Sequence, residues 1–165
     1  ARNDRVYRGR ITRNDGQKKG LLKMTELKFE IPVRTISEAN GRECWQAKSA
    51  RAKKQRELAK LITSQMLCGV GQSKALIVGA ILGGKVCWNY KRIIVTLTRK
   101  GTRPLDSDNL AGSQKAVRDG IAEAFGIDDG KPVWDWKYAQ EKVRRNDFVT
   151  PYGTNVHIQF VEDTE

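Results

Sequence analysis

Arg92 to Arg99 reads Arg-Ile-Ile-Val-Thr-Leu-Thr-Arg, a β-branched, alternating run that fits a half-buried strand and little else. That strand fixes what the neighbouring chain can do. Through Lys100-Gly101-Thr102-Arg103-Pro104 it leads to Asp106-Ser107-Asp108-Asn109-Leu110. Beyond Asn109, Leu110, Val117, Ile121, Ala124 and Phe125 fall on one helical face, and Gly126 is placed as the C-cap. The centre of the chain is therefore predicted to be strand, short loop and helix.

The flanking elements follow from the same two periods. Met24 to Arg34 predicts a first strand, with Leu27, Phe29, Ile31 and Val33 alternating against Lys28 and Glu30. Pro32 marks either an edge position or the strand's end. Ser37 and Asn40 offer N-caps for a long helix from about Arg42 to Leu67. Its later half carries Leu58, Leu61, Ile62 and Met66, a core stripe. Residues 69–90 read as an irregular connection, since Gly69-Val70-Gly71-Gln72-Ser73-Lys74 completes no phosphate-loop pattern. Trp134, Trp136 and Tyr138 face one way on a further strand, opposite Asp135, Lys137 and Ala139. Aromatics so placed are core more often than base-stacking platforms. Val156, Ile158 and Phe160 make the last strand, with His157 and Gln159 on its polar face. The last two strands are expected to pair antiparallel across the basic loop Lys142 to Asp147. The prediction is a small α/β domain of the α+β type over residues 24–165: a mixed four-stranded sheet with two helices, in the order β-α-β-α-β-β. Residues 1–23, with eight Lys or Arg against two Asp, read as a basic N-terminal arm.

Charge narrows the partners. The 165 residues carry 31 Lys and Arg against 19 Asp and Glu, a net charge of +12. Such a surface points to a polyanion, nucleic acid first and an anionic membrane second. A structural nucleic-acid-binding protein would carry the same charge, so charge alone identifies no enzyme. Cys44, Cys68 and Cys87 are odd in number and lack C-x-x-C spacing, which argues against a disulfide framework and a zinc site. His157, the single histidine, builds no histidine-based site by itself. The most apolar run, Ala75 to Leu82, is too short to span a bilayer, and the chain is expected to be cytoplasmic.

Asp106 and Asp108 stand at i and i+2, on one side of an extended backbone. Two like charges so close repel, and a cation between them relieves the repulsion. Mg²⁺ is typically held through one or two carboxylates plus substrate phosphates. The same residues also fit a helix cap or a solvated turn. Downstream, Lys115 lies on the helix, and Asp128-Asp129 come just after it. Lys115 and Asp119, at i and i+4, also fit a surface ion pair.

Asp106-x-Asp108-Asn109-Leu110, then Lys115-Ala116-x-x-Asp119-Gly120-Ile121, then Gly126-x-Asp128-Asp129, resembles the RusA family of Holliday junction resolvases. Those are small, dimeric, Mg²⁺-dependent DNA endonucleases. The resemblance covers roughly residues 27–162 and leaves out the basic arm. It implies phosphodiester hydrolysis in branched DNA, with Asp106, Asp108 and Asp129 as ligands of Mg²⁺ (or Mn²⁺) and Asp128 as a supporting or alternate ligand. Lys115 would donate to the scissile phosphate or hold the attacking water. About three residues are inserted between Asn109 and Lys115, which shifts Lys115 by about 4.5 Å along a helix axis. Lys48, Arg51, Lys53, Lys54 and Arg56 are candidate phosphate contacts or simply a solvated helix face. Arg103, Arg144 and Arg145 join them as candidate DNA contacts.

An unbroken helix from Leu110 to Phe125 would be about 24 Å long, setting Asp108 and Asp129 near its opposite ends. They share a metal only if the chain breaks at Gly112 or Gly120 and folds back, or if a second subunit contributes. A homodimer would suit the near two-fold symmetry of a four-way junction. The competing expectation is a non-enzymatic nucleic-acid-binding protein whose acids only cap and solvate.

Overall fold

The computed structural model describes residues 26–37, 43–69, 90–144 and 152–162. The basic arm, the segment Ala75 to Leu82, most of the 69–90 connection, Asn40, Cys87 and Arg145 lie outside them. Four strands and three helices follow in order: β1 (Glu26–Ile31), α1 (Trp45–Gly69), β2 (Tyr90–Gly101), α2 (Ser107–Ser113), α3 (Lys115–Phe125), β3 (Trp134–Lys142) and β4 (Gly153–Glu162). They form a small α+β domain with one mixed sheet in the order β1-β4-β2-β3. Among the described residues no helix is long and apolar enough to cross a membrane.

The expected pairing of the last two strands is corrected here. β3 runs parallel to β2, with Ile93 opposite Trp134 and Gly101 opposite Lys142. β4 lies antiparallel between β1 and β2. Two physical features explain the difference. A parallel neighbour needs a crossover of a dozen or more residues, and the α2–α3 segment supplies it. The ten-residue link 143–152 is longer than the two to five residues of a tight hairpin, so it can step past β2. The central slot also suits β4 better than β3. Val156, Ile158 and Phe160 are all buried, whereas β3 exposes Lys137, Gln140, Glu141 and Lys142 along the edge. On the other side the strand stops at Ile31, just before Pro32, and β1 is an edge strand, as the proline signalled.

Helices cover one face of the sheet. Leu27, Phe29 and Ile31, then Ile93, Val95 and Leu97, then Val156, Ile158 and Phe160 point into a core closed by Ala59 and Ile62 of α1 and Val117, Ile121 and Phe125 of α3. Trp134 is buried with its ring edge-on to Phe125 (5.4 Å, 87°), while Trp136 and Tyr138 are half-buried against the same core. The three aromatics are therefore core, as expected. The α1 stripe is narrower than expected, because Leu61 is 54% exposed. The opposite face of the sheet is polar. There His157 accepts or donates to Glu26 (2.9 Å), and Lys100 pairs with Glu30 (3.0 Å).

The second helix divides at Gln114, not at Gly112 or Gly120. Ser113 donates its hydroxyl back to the Leu110 carbonyl (2.8 Å), a bond that competes with the helical ladder. Gln114 is fully buried, and its side-chain oxygen accepts from Thr154 of β4 (3.2 Å). Its backbone stays right-handed but opens to the margin of the helical region (φ −96°, ψ −1°), and α3 starts afresh. Gly120 serves packing instead. A Cβ there would press on the Arg56 carbonyl and lie 2.8 Å from the Ala59 Cβ.

This contact yields a test. Alanine gains about 1 kcal/mol over glycine inside a free helix. Gly120→Ala is nonetheless expected to destabilise by about 1–3 kcal/mol, since overpacking pushes α3 off α1. Urea denaturation reads the difference, and a midpoint at or above wild type would refute the close approach.

Candidate functional site

Asp106 and Asp108 stand where the chain turns from β2 into α2. Asp106 is the N-cap (φ −67°, ψ 167°), its Oδ1 accepting the Asn109 N–H at 3.0 Å. The capping reading of this residue is thus realised, with one carboxylate oxygen still unused. Asp108 lies in the first turn, and both side chains are exposed. Their surroundings are tied down from two sides. Asn109 Oδ1 accepts from Ser37 (2.5 Å), in the segment after β1. Leu105 exchanges two 2.8 Å bonds with the Gln140 amide on β3.

Asp128 and Asp129 are held elsewhere. Gly126 takes the left-handed conformation that ends α3 (φ 67°). Asp128 Oδ1 accepts from Gly130 N–H (2.9 Å), and the backbone carbonyls of Asp128 and Asp129 accept from the Trp134 and Trp136 indoles at 2.9 and 3.1 Å. The Asp129 carboxylate binds Arg118 Nη2 at 2.6 Å. Arg118 Nε also lies 3.7 Å from Asp119 Oδ1, an atom that is buried with no hydrogen bond. Burial, reinforced by the Asp129 charge, raises the Asp119 pKa above the usual carboxylate value. Burial pulls the Arg118 pKa down, but the Tyr138 hydroxyl and the Asp129 and Asp119 charges outweigh it and the net direction is up.

The two aspartate pairs therefore do not converge. One hangs beside Gln140 and the other is bonded to Trp134 and Trp136; Trp136 and Gln140 are separated along β3 by about 13 Å. Among the described residues no three Asp, Glu, His or Cys side chains are grouped to hold a metal ion. Within the single chain, Asp106, Asp108 and Asp129, the ligand set expected from the sequence, are not grouped around one point. Asp129 already has its counter-charge in Arg118, and the break at Gln114 does not bring Asp108 to it. Lys115 is exposed at the start of α3. The alternative Lys115–Asp119 ion pair does not form within 4 Å, although the Lys115 charge still acts on Asp119, whose near partner is Arg118.

What does converge is positive charge. At one end of the sheet, where β1, β2 and β3 finish and β4 begins, a cavity of about 920 Å³ is lined by Arg34, Arg99, Arg103, Lys142, Arg144 and Tyr152, among others. Among the described residues its lining includes no carboxylate. Arg99 takes the next inward position after Ile93, Val95 and Leu97 and is only 8% exposed. It donates to the Thr35 carbonyl (Nε, 3.4 Å) and the Arg103 carbonyl (Nη1, 3.0 Å). Gly101 makes room, since a Cβ there would collide with the Arg99 guanidinium. Arg34 lies over the Tyr152 ring (4.7 Å to its centre). Burial, and secondarily Arg34, lowers the Arg99 pKa, yet a guanidinium starts so high that it stays charged at neutral pH.

The basic run of α1 is largely spoken for. Arg51 bonds Glu43 through Nε and Nη2 (3.1 and 2.9 Å), and Lys48 is half-buried. Arg56 and Lys60 both reach Glu123 of α3, at 3.3 and 3.5 Å. Lys53 and Lys54 remain exposed, as do Arg103 and Arg144 at the cavity. Sequence reasoning named Arg103 and Arg144 but missed Arg34, Arg99, Lys142 and Arg118. For Arg99 a signal existed: an arginine in phase with three buried aliphatics. No protein-family model matches the chain, and no curated protein or solved structure matches it.

The Asp119 environment sets a pH test. Its folded pKa lies above the unfolded value, so the native state holds the proton more tightly. Stability should then fall as pH rises from about 4 through the folded pKa, because the unfolded chain loses its proton first. Asp119→Asn is expected to flatten that part of the profile in urea titrations. A slope unchanged in the variant would assign the pH dependence to other groups.

Proposed function

We propose that the protein is a Mg²⁺- or Mn²⁺-dependent endonuclease that acts on branched DNA, a Holliday junction or a related structure, as a homodimer. The observation that carries this reading is the placement of Asp106 and Asp108 directly after Arg103 and Leu105, two residues that line the basic cavity. Both lie beyond the carboxyl ends of the parallel strands β2 and β3, where ligands of open α/β sheets bind. The resemblance of the 106–129 segment to RusA-type resolvases supports the same chemistry.

Asp106 and Asp108 would hold the ion, whose hard oxygen preference their carboxylates meet. When bound, such an ion activates water and neutralises charge on the phosphoryl group. Asp129, engaged by Arg118, is outside this pair within a protomer. The chain's own cations do the rest of the work on the substrate. Arg103, Lys142 and Arg144 offset phosphate charge and fix the strand. Lys115, exposed and with no carboxylate within ion-pair distance among the described residues, would donate to a phosphate oxygen. A two-fold dimer presents two such sites to a junction that needs two symmetric incisions. An exposed Cys44 thiol fits a reducing compartment, and we place the protein in the cytoplasm.

One observation favours the second reading, a nucleic-acid-binding protein without catalysis: Asp106 is a helix cap and Asp129 an ion-pair partner. Asp108→Asn separates the two. On a four-way junction with Mg²⁺, the variant is expected to lose cleavage while binding the junction as tightly as wild type or more so. Cleavage at the wild-type rate would remove the aspartates from catalysis. Neither protein cleaving would favour the binding reading.

The salt dependence of binding locates the DNA surface. Each phosphate contact contributes about −0.9 to the log–log slope on duplex DNA. Replacing Arg103, Lys142 and Arg144 by Gln is expected to flatten the slope by about two to three units, and replacing Lys53 and Lys54 by less. The reverse ranking would move the DNA to α1.

A further inference from the structure

Arg99 is a charge that neither aspartate pair explains. It is more than nine-tenths buried, and no carboxylate lies within ion-pair distance among the described residues. An unpaired buried charge is costly, and proteins keep one where a counter-charge arrives from outside. Two of its nitrogens are spent on the Thr35 and Arg103 carbonyls, which fix the guanidinium plane. The third, Nη2, has no hydrogen-bond partner among the described residues. Gly101 keeps open the space that the group occupies. The site is built before any ligand comes.

We propose that this cavity is a phosphate subsite for a nucleic-acid strand, with Arg99 as its buried anchor and Arg34, Arg103, Lys142 and Arg144 as the surrounding charge. The inference rests on the nucleic-acid reading above and adds a contact separate from the aspartates. Nη2 keeps its N–H groups for a phosphate oxygen, and a guanidinium held in one plane by two carbonyls aims them in a way that a flexible lysine ammonium would not. A strand suits the cavity better than a single small anion does. The cations come from the ends of three strands, and repeated charges along a backbone can meet several of them at once. Arg99 does not touch the reacting phosphate in this scheme; it positions the strand that Asp106 and Asp108 act on.

The test is a scan of a four-way junction in which one phosphate at a time becomes an uncharged methylphosphonate, with binding measured without Mg²⁺. At one position the change is expected to weaken wild-type binding about tenfold and Arg99→Met binding by less than about twofold. Circular dichroism checks that the variant folds. Should it not, Arg103, Lys142 and Arg144 changed together to Gln carry the same scan, because all three lie at the surface. A scan with no position coupled to the cavity overturns the subsite. Calorimetry with inorganic phosphate and a nucleoside monophosphate forms the second arm. Tight binding of either one that depends on Arg99, with no coupled position on DNA, overturns the strand assignment in favour of a free phosphate ligand. Cleavage is read separately with Mg²⁺. Coupling without cleavage keeps the subsite and removes the endonuclease, whereas cleavage without coupling does the opposite.

Discussion

Parallel pairing of β2 with β3 is the constraint from which the rest of the molecule follows. Parallel neighbours cannot be joined by a turn, so the chain between Gly101 and Trp134 must travel back along the sheet, and it does so as helix. That return covers the apolar face of β2 and β4 with Val117, Ile121 and Phe125. It also brings the carboxyl ends of both strands to the same edge, where the loop into α2 has to start. The carboxylates of Asp106 and Asp108 and the basic cavity share a neighbourhood because of this topology.

Two kinds of charge management coexist within that frame. Around α3 the charges answer one another: Arg118 with Asp129, and Arg56 and Lys60 with Glu123. A depression there, lined by Arg56, Lys60, Asp119, Glu123, Asp128 and Asp129, is mixed in sign and carries its own cations among its carboxylates. Among the described residues, Arg34, Arg99, Arg103, Lys142 and Arg144 around the cavity have no such carboxylate answer. The difference sets a surface that stabilises the fold apart from one that waits for an anion.

Much of this architecture was legible in the sequence. Strand periodicity located all four strands, and Gly126 ended α3 where a C-cap glycine should. What escaped was non-local. Nothing in residues 153–162 states that they enter between β1 and β2, because alternation reveals a buried face but not a neighbour. The helix break escaped because Gln114 is held by Thr154, forty positions away, while the sequence drew attention to the glycines. For the site, the aspartate spacing was visible and its convergence was not. Arg118 takes Asp129, and only the folded chain shows that. Arg99 was visible in principle, but a charged residue in an inward strand position reads as a strand end until the cavity is seen.

The central position of β4 also orders events during synthesis. β1, β2 and β3 all leave the ribosome before it, yet among the described strands β1 pairs with β4 alone, with Glu26 opposite Gln159. Until residues 153–162 emerge, β1 has no neighbour among the described strands, and β2 lacks the partner that covers one of its flanks of amides and carbonyls. A nascent chain with such open flanks is prone to pair with the wrong strand, including that of another nascent chain on the same message. Closure of the sheet is thus a late and long-range event. Through its last strand the fold ties its own completion to the pace of translation.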